Sequence, residues 1–374
     1  MIRGRGRGWW AAAALATALA VAGCTPTTAG TAATVPATSP DRTDDARRSD
    51  AWLADAAGGL KAGCSAAAAI NGVVEWAAAQ GLADIDTNRS LTTTTRFDIA
   101  DVGAQFTATA ILLLAEDGRL QLTDPLSGHL SGLPGWADQV TVGNLLHQNS
   151  GAPAVEAVLP SSQFSGVNPA TEQDALDLVK WLEPRFAPGA FFEDNDTNYL
   201  LLAEVVQAVS GQSLPDFLRA RVFAPSGIDI AVRPQPPGDV ATEYETVLGQ
   251  LQPSRPRGFF LAGRGLMFAT PSELAIWADN YRTGAVGGPD LVAGATRDAV
   301  PIGPDPGVPS YGAGIYVLAD GSLELDGPTS AGFTYFAVSP DRHAALAVSC
   351  NQQNRSELWE SRASALRQIW FGTT

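Results

Sequence analysis

Two apolar, strand-like runs lie at opposite ends of the chain, and each carries a cysteine: "AGCSAAAAING" (62–72) and "HAALAVSCNQQ" (343–353). Both read as buried strands closed by turn residues. The "NG" of the first joins it to "VVEWAAAQGLADI" (73–85), a strong hairpin signal. Further strands follow after 305, in "SYGAGIYVL", "SLELDG" and "GFTYFAVSP". Between the two ends the pattern is helical: "QFTATAILLLAEDG", "TNYLLLAEVVQAVSGQSLPDFLRARVFAPSGI" and "SELAIWADNYRTG". A helix over "SDAWLADAAGGLKAG" precedes the first strand, and one over "SELWESRASALRQIWF" follows the last. Strands at both ends with helices between predict an α/β (α+β) fold, with an antiparallel sheet built from both termini and an inserted helical lobe. The predicted domain spans 51–374, its α/β part about 51–100 and 305–374 and its helical lobe about 101–304.

The first residues read as an export signal rather than as part of the fold. Arg3, Arg5 and Arg7 precede the apolar "WWAAAALATALAVA", and "VAGC" ends it at Cys24. That pattern predicts a lipoprotein signal peptide over 1–24, with acylation (palmitate) of Cys24 and a place on the extracytoplasmic face of the cell membrane. Residues 25–50 are rich in Thr, Ala, Pro and charge, and read as a flexible tether. In an exported domain the remaining pair, Cys64 and Cys350, is expected to be bridged, one at the start of its strand and one at the end of an antiparallel neighbour. With 24 Lys and Arg against 39 Asp and Glu, the chain has a formal charge of −15 and no basic footprint for nucleic acid.

The stretches "GLADIDTNRSLTTTTRFDIA", "QFTATAILLLAEDGRLQLTDPL", "VTVGNLLHQNSGAP", "TNYLLLAEVVQAVSGQSL", "GRGLMFATPSELAIWA", "YGAGIYVL" and "GFTYFAVSPD" resemble, in order and spacing, the superfamily of serine β-lactamases, D-alanyl-D-alanine peptidases (penicillin-binding proteins) and related esterases, closest to the class C-like branch. The resemblance covers about 52–372. It implies a β-lactamase/transpeptidase-like fold and three catalytic motifs, and the chain departs at each.

The family's Ser-x-x-Lys places a nucleophile and its base one helical turn apart on the same face. The matching positions are Asp101 and Ala104. No Ser-x-x-Lys exists elsewhere, because the only lysines, Lys61 and Lys180, follow Gly58 and Asp177. Thr107 lies about 240° round the helix from Asp101 and should face elsewhere. The second motif, Tyr-x-Asn or Ser-x-Asn, falls on Asp194 and Asp196, or on Glu193 and Asn195 if the register slips by one. The third, Lys-Thr-Gly or His-x-Gly, falls on Leu325, Asp326 and Gly327. His129, His147 and His343 match no catalytic position of the family. No catalytic residue is therefore expected, and the resemblance implies a pseudoenzyme.

Asp101, Asp194, Asp196 and Asp326 should border one groove and are the candidate ligand-binding residues. Such an acidic pocket would suit a basic ligand, or Ca²⁺ or Mg²⁺, although no metal ligand set or cofactor is identified. The plainer alternatives are a helix cap at Asp101, a turn at Asp326–Gly327 and a solvated loop at "EDND". Paired carboxylates also admit a glycosidase, for which no sugar-binding aromatic motif stands nearby. The preferred expectation is a lipid-anchored, non-catalytic protein that binds a cell-envelope component or a membrane-protein partner. Its rival is a serine-independent hydrolase with a rewired acidic site.

Overall fold

Asn71 and Gly72 both adopt positive φ (52° and 78°), which turns the chain tightly between strands Gly63–Ile70 and Val73–Asp84. The computed structural model describes residues 42–58, 61–159, 170–233, 237–254, 262–329, 331–352 and 357–372. Cys24 and the tether up to residue 41 lie outside them.

Nine strands form the main sheet, every registered pair antiparallel. From one edge the order is Arg89–Ser90, Val73–Asp84, Gly63–Ile70, Ala344–Cys350, Phe333–Val338, Leu323–Pro328, Tyr316–Val317, Ser310–Tyr311 and Val300–Pro301. The N- and C-terminal strands thus meet at the centre, with Cys64 opposite Cys350. These two cysteines are disulfide-bonded, their Cα atoms 4.1 Å apart.

The alanines of strand 63–70 set how closely helices approach the sheet. Cys64, Ala66 and Ala68 pack under helices Thr43–Ala57 and Glu357–Trp370, through Leu53, Ala56, Leu366 and Trp370. Ala67 and Ala69 face the other way, towards Ala275 of helix Pro271–Trp277. A strand buried on both faces needs no polar alternation, which is why it reads as a continuous apolar run.

Two expectations are corrected. Helix Thr43–Ala57 starts inside the stretch read as tether, because Ser49 and Leu53 already belong to its buried face. Two hydrogen bonds fix it there, Trp370 Nε1 to Ser49 Oγ and Trp76 Nε1 to Asp50 Oδ1, each 2.9 Å. The inserted lobe is mainly helical, as expected, and holds short strands as well. It contributes to a three-stranded sheet (Phe97–Asp98, Met267–Ala269, Ala231–Val232) and holds a hairpin over Tyr244–Pro253. Finally, "SYGAGIYVL" forms two short strands rather than one.

Helix Ala104–Glu116 is the lobe's axis, buried on every side from Ala104 to Leu114. A helix apolar all round belongs in a core. It packs against helices Asp196–Ser210, Leu214–Leu218 and Gly288–Thr296. Its polar residues are used internally: Gln105 Oε1 accepts from Trp277 Nε1 (2.7 Å) and Tyr281 OH (3.2 Å). No helix among the described residues is long and apolar enough to cross a membrane.

Candidate functional site

Asp101 lies in the 3₁₀ turn Ala100–Gly103 that leads into helix Ala104–Glu116. Ala100 holds φ 44°, an uncommon conformation for a residue with a Cβ. Its amide donates to Asp98 Oδ1 at 2.9 Å, while Ile99 N donates to Met267 O at 3.0 Å. Strand Leu323–Pro328 presses on this turn from the side. A Cβ on Gly327 would stand 2.4 Å from Ile99 O and 3.1 Å from Asp101 N, so only glycine allows the approach. The first and third motif positions are therefore neighbours, as the resemblance requires. Leu325, matched to the family's cationic group, is buried in the main core, whereas Asp326 is exposed.

Within 193–196, the side chains that reach the Asp101 turn's partner, Arg264, are those of Asp194 and Asp196. Asn195 is a buried helix cap whose Oδ1 accepts from Thr197 N at 2.9 Å. Glu193 turns away to pair with Arg185 at 2.8 Å. Gln148 braces the loop, its Nε2 donating to Asp194 Oδ1 (3.1 Å) and its Oε1 accepting from Asn195 N (3.2 Å).

Asp101, Asp194 and Asp196 converge on one residue, Arg264. Its Nη2 lies 2.9 Å from Asp101 Oδ2, its Nη1 3.1 Å from Asp196 Oδ1, and both Nη atoms engage the Asp194 carboxylate. Only 8% of the Arg264 side chain is exposed, against 30%, 45% and 27% for the three acids in turn. Burial alone would lower the guanidinium's affinity for its proton, but the carboxylates of Asp101, Asp194 and Asp196 together raise it well above the usual arginine value. The Tyr199 ring lies 5.9 Å below the guanidinium. The counter-charge that the acids were expected to recruit from outside is thus supplied by the chain itself. The guanidinium fills the place a cation would take. Among the described residues no group of three His, Cys, Asp or Glu is arranged to hold a metal ion.

The segment carrying Arg264 is held by close backbone contact. Gly263 has φ 101°, and a Cβ there would lie 2.1 Å from Tyr199 O. Thr107 donates to Gly263 O at 2.6 Å and anchors this turn. Nearby hydroxyls are poor nucleophiles. Tyr199 donates to Leu146 O at 3.0 Å, and Tyr311 donates to Tyr199 at 3.3 Å. Tyr316 is half-buried against Tyr311 and Phe192. Burial, followed by the charges of Asp194 and Asp326, keeps its phenol protonated far above neutrality.

Arg264, Glu156 and Tyr316 were not singled out from the sequence. Arg264 interrupts the Gly- and apolar-rich "AGRGLMFA", and Glu156 is the lone charge in "GAPAVEAVLP"; an isolated charge in an apolar run was the available signal. Glu156 lies on the short turn Val155–Ala157 beside Asp196, and its Oε2 is buried without a hydrogen-bond partner.

The β-lactamase family model matches residues 32–369. The chain belongs to the β-lactamase family. Penicillin-binding protein 4* of Bacillus subtilis (strain 168) is 31% identical over 151 residues, 40% of this chain and 33% of that protein. Protein flp of Staphylococcus aureus (strain NCTC 8325 / PS 47) is 32% identical over 152 residues, 40% of this chain and 30% of that protein. The matched region thus spans about a third of these curated relatives. Among solved structures, D-amino acid amidase from Ochrobactrum anthropi SV3, complexed with D-phenylalanine, superimposes with a TM-score of 0.76 at 22% identity, covering 87% of this chain and 99% of that one. The penicillin-binding protein homologue from Pyrococcus abyssi gives 0.73 at 21% identity, covering 87% and 76%. The β-lactamase fold therefore accounts for the sheet and the lobe, and Arg264 joins the Asp101 turn to the start of helix Asp196–Ser210.

Proposed function

We propose that this is a non-catalytic β-lactamase-family protein, held at the outer face of the cell membrane through an acylated Cys24, that binds a cell-envelope component or a membrane-protein partner. The observation that carries the non-catalytic reading is the locked cluster of Arg264 with Asp101, Asp194 and Asp196. The position matched to the nucleophile holds a carboxylate, and its neighbouring cation is an arginine. A guanidinium does not give up its proton at physiological pH, so it cannot act as a general base. A serine or cysteine nucleophile needs such a base, or a depressed pKa, to attack a carbonyl. Ala104, buried at the matched lysine position, supplies neither.

Three carboxylates outnumber one guanidinium, so the cluster keeps an excess of negative charge, with Asp326 exposed on the adjoining strand. Such a surface favours a basic or amine-bearing ligand and disfavours the carboxylate-bearing substrates that the family's third motif serves. In this reading Asp101, Asp194, Asp196 and Asp326 bind a ligand through their outward faces while their inner oxygens hold Arg264 in place.

Relatives named as penicillin-binding proteins and a D-amino acid amidase indicate which substrates to offer. The purified chain is predicted to turn over neither a chromogenic β-lactam, nor D-phenylalanine amide, nor p-nitrophenyl esters above the uncatalysed rate. Turnover that vanishes in Asp101→Asn would contradict the proposal and establish the rewired acidic hydrolase instead.

A further inference from the structure

Glu156 is unlike the other acids near the cleft. Its turn is fastened to the start of helix Asp196–Ser210: Val155 N donates to Thr197 Oγ1 (3.0 Å), and Asn195 Nδ2 donates to Ala152 O (2.8 Å). That fastening carries the Glu156 carboxyl to Asp196, which already shares Arg264 with two other carboxylates. Among the described residues, the charged groups that act most on Glu156 are Asp196 and Arg264. Helix Asp196–Ser210 presents Asp196 and its backbone N–H, and the 262–266 turn presents Arg264. Helix Glu172–Val179 also packs here, but its acids are engaged elsewhere: Glu172 beside Glu204, Asp174 in the Thr171 cap and Asp177 with Lys180. The following stretch, 160–169, has no ionisable side chain. An ionised Glu156 would thus bring a fourth negative charge to a cluster with one cation, with its Oε2 buried without a partner, and the backbone N–H groups of Glu156 and Asp196 offset only part of that cost.

We propose that Glu156 is a proton-controlled latch: when neutral it lets segment 152–159 rest against the Asp196 end of the acidic cluster, and when ionised it drives that segment off. This holds whether or not the cleft is catalytic, because only the local charge balance enters.

Burial first, and then the Asp196 charge, push the Glu156 carboxyl up from 4.5 to about 7. The closed segment therefore favours the protonated form. Its contribution to local stability is full below about 4.5 and is lost as pH rises to about 7. Allowing for partial exposure, the opening equilibrium should rise about tenfold between pH 5.5 and 7.5.

Amide hydrogen exchange of the intact chain, corrected for intrinsic rates, reads this directly at Val155, Val158 and Leu159. The expected result is about tenfold faster exchange at pH 7.5 than at 5.5 in the native protein, and slow, pH-independent exchange in Glu156→Gln. Equal protection at both pH values would overturn the latch, and so would the same rise persisting in Glu156→Gln. Should that variant not fold, the native chain decides alone: ¹³C titration of the Glu156 carboxyl and the exchange profile must share a midpoint, and separate midpoints would refute it.

Discussion

Arg264 supplies what three separate sequence positions lack. Asp101, Asp194 and Asp196 were legible because each sits in a frame fixed by flanking apolar residues, so their convergence could be read from the motifs. Their partner was not legible in the same way. It comes from an intervening turn between glycines, outside the three matched motifs, and only its isolated charge marked it. Because the guanidinium is buried and the acids are partly exposed, removing it leaves three carboxylates facing one another without compensation. Arg264→Met should cost about 2–4 kcal/mol at pH 7, at the lower end of what breaking a buried ion pair costs, since the acids keep some water. Denaturant melts of both proteins at pH 7 check this, and an unchanged midpoint would mean that the guanidinium's charge does not hold the three acids together at this site.

At the scale of elements, the strand pair 63–84 and its join to 344–350 were readable from local chemistry: a turn dipeptide, two continuous apolar runs and a cysteine in each. The disulfide followed from the same reading and is present. Less could be read where tertiary contacts override local pattern. Helix Thr43–Ala57 has a polar, charge-rich start that resembles a linker until Trp370 and Trp76 reach its Ser49 and Asp50. The two strands within 310–317 are two residues each, too short for periodicity to announce. Contact between strand Leu323–Pro328 and the Asp101 turn is the element-scale feature on which the cleft depends. Gly327→Ala forces a methyl group into Ile99 O and should destabilise the protein by about 1–3 kcal/mol. Gly135→Ala, where a Cβ would meet open space, should change stability by less than about 0.5 kcal/mol. Thermal unfolding of the two variants side by side tests the difference; similar melting temperatures would show that the close approach at Gly327 is not needed.

Over the whole molecule, the β-lactamase frame persists while the residues at the three matched motif positions differ from the family's. The sheet joins both ends of the chain, the buried helix Ala104–Glu116 carries the Asp101 turn, and the 262–266 turn delivers a cation to the same cleft. Fold and chemistry can separate in this way because the frame is fixed by burial and close backbone contact, whereas acyl transfer hangs on a few side chains. The account therefore stands on the absence of a side chain that β-lactams or activated phosphonates can acylate or phosphonylate. Intact-mass measurement of the purified chain after long incubation with a penicillin, and separately with a fluorophosphonate, tests that most directly. The prediction is an unchanged mass in both cases. A stoichiometric adduct that maps to one residue lining the cleft would contradict it.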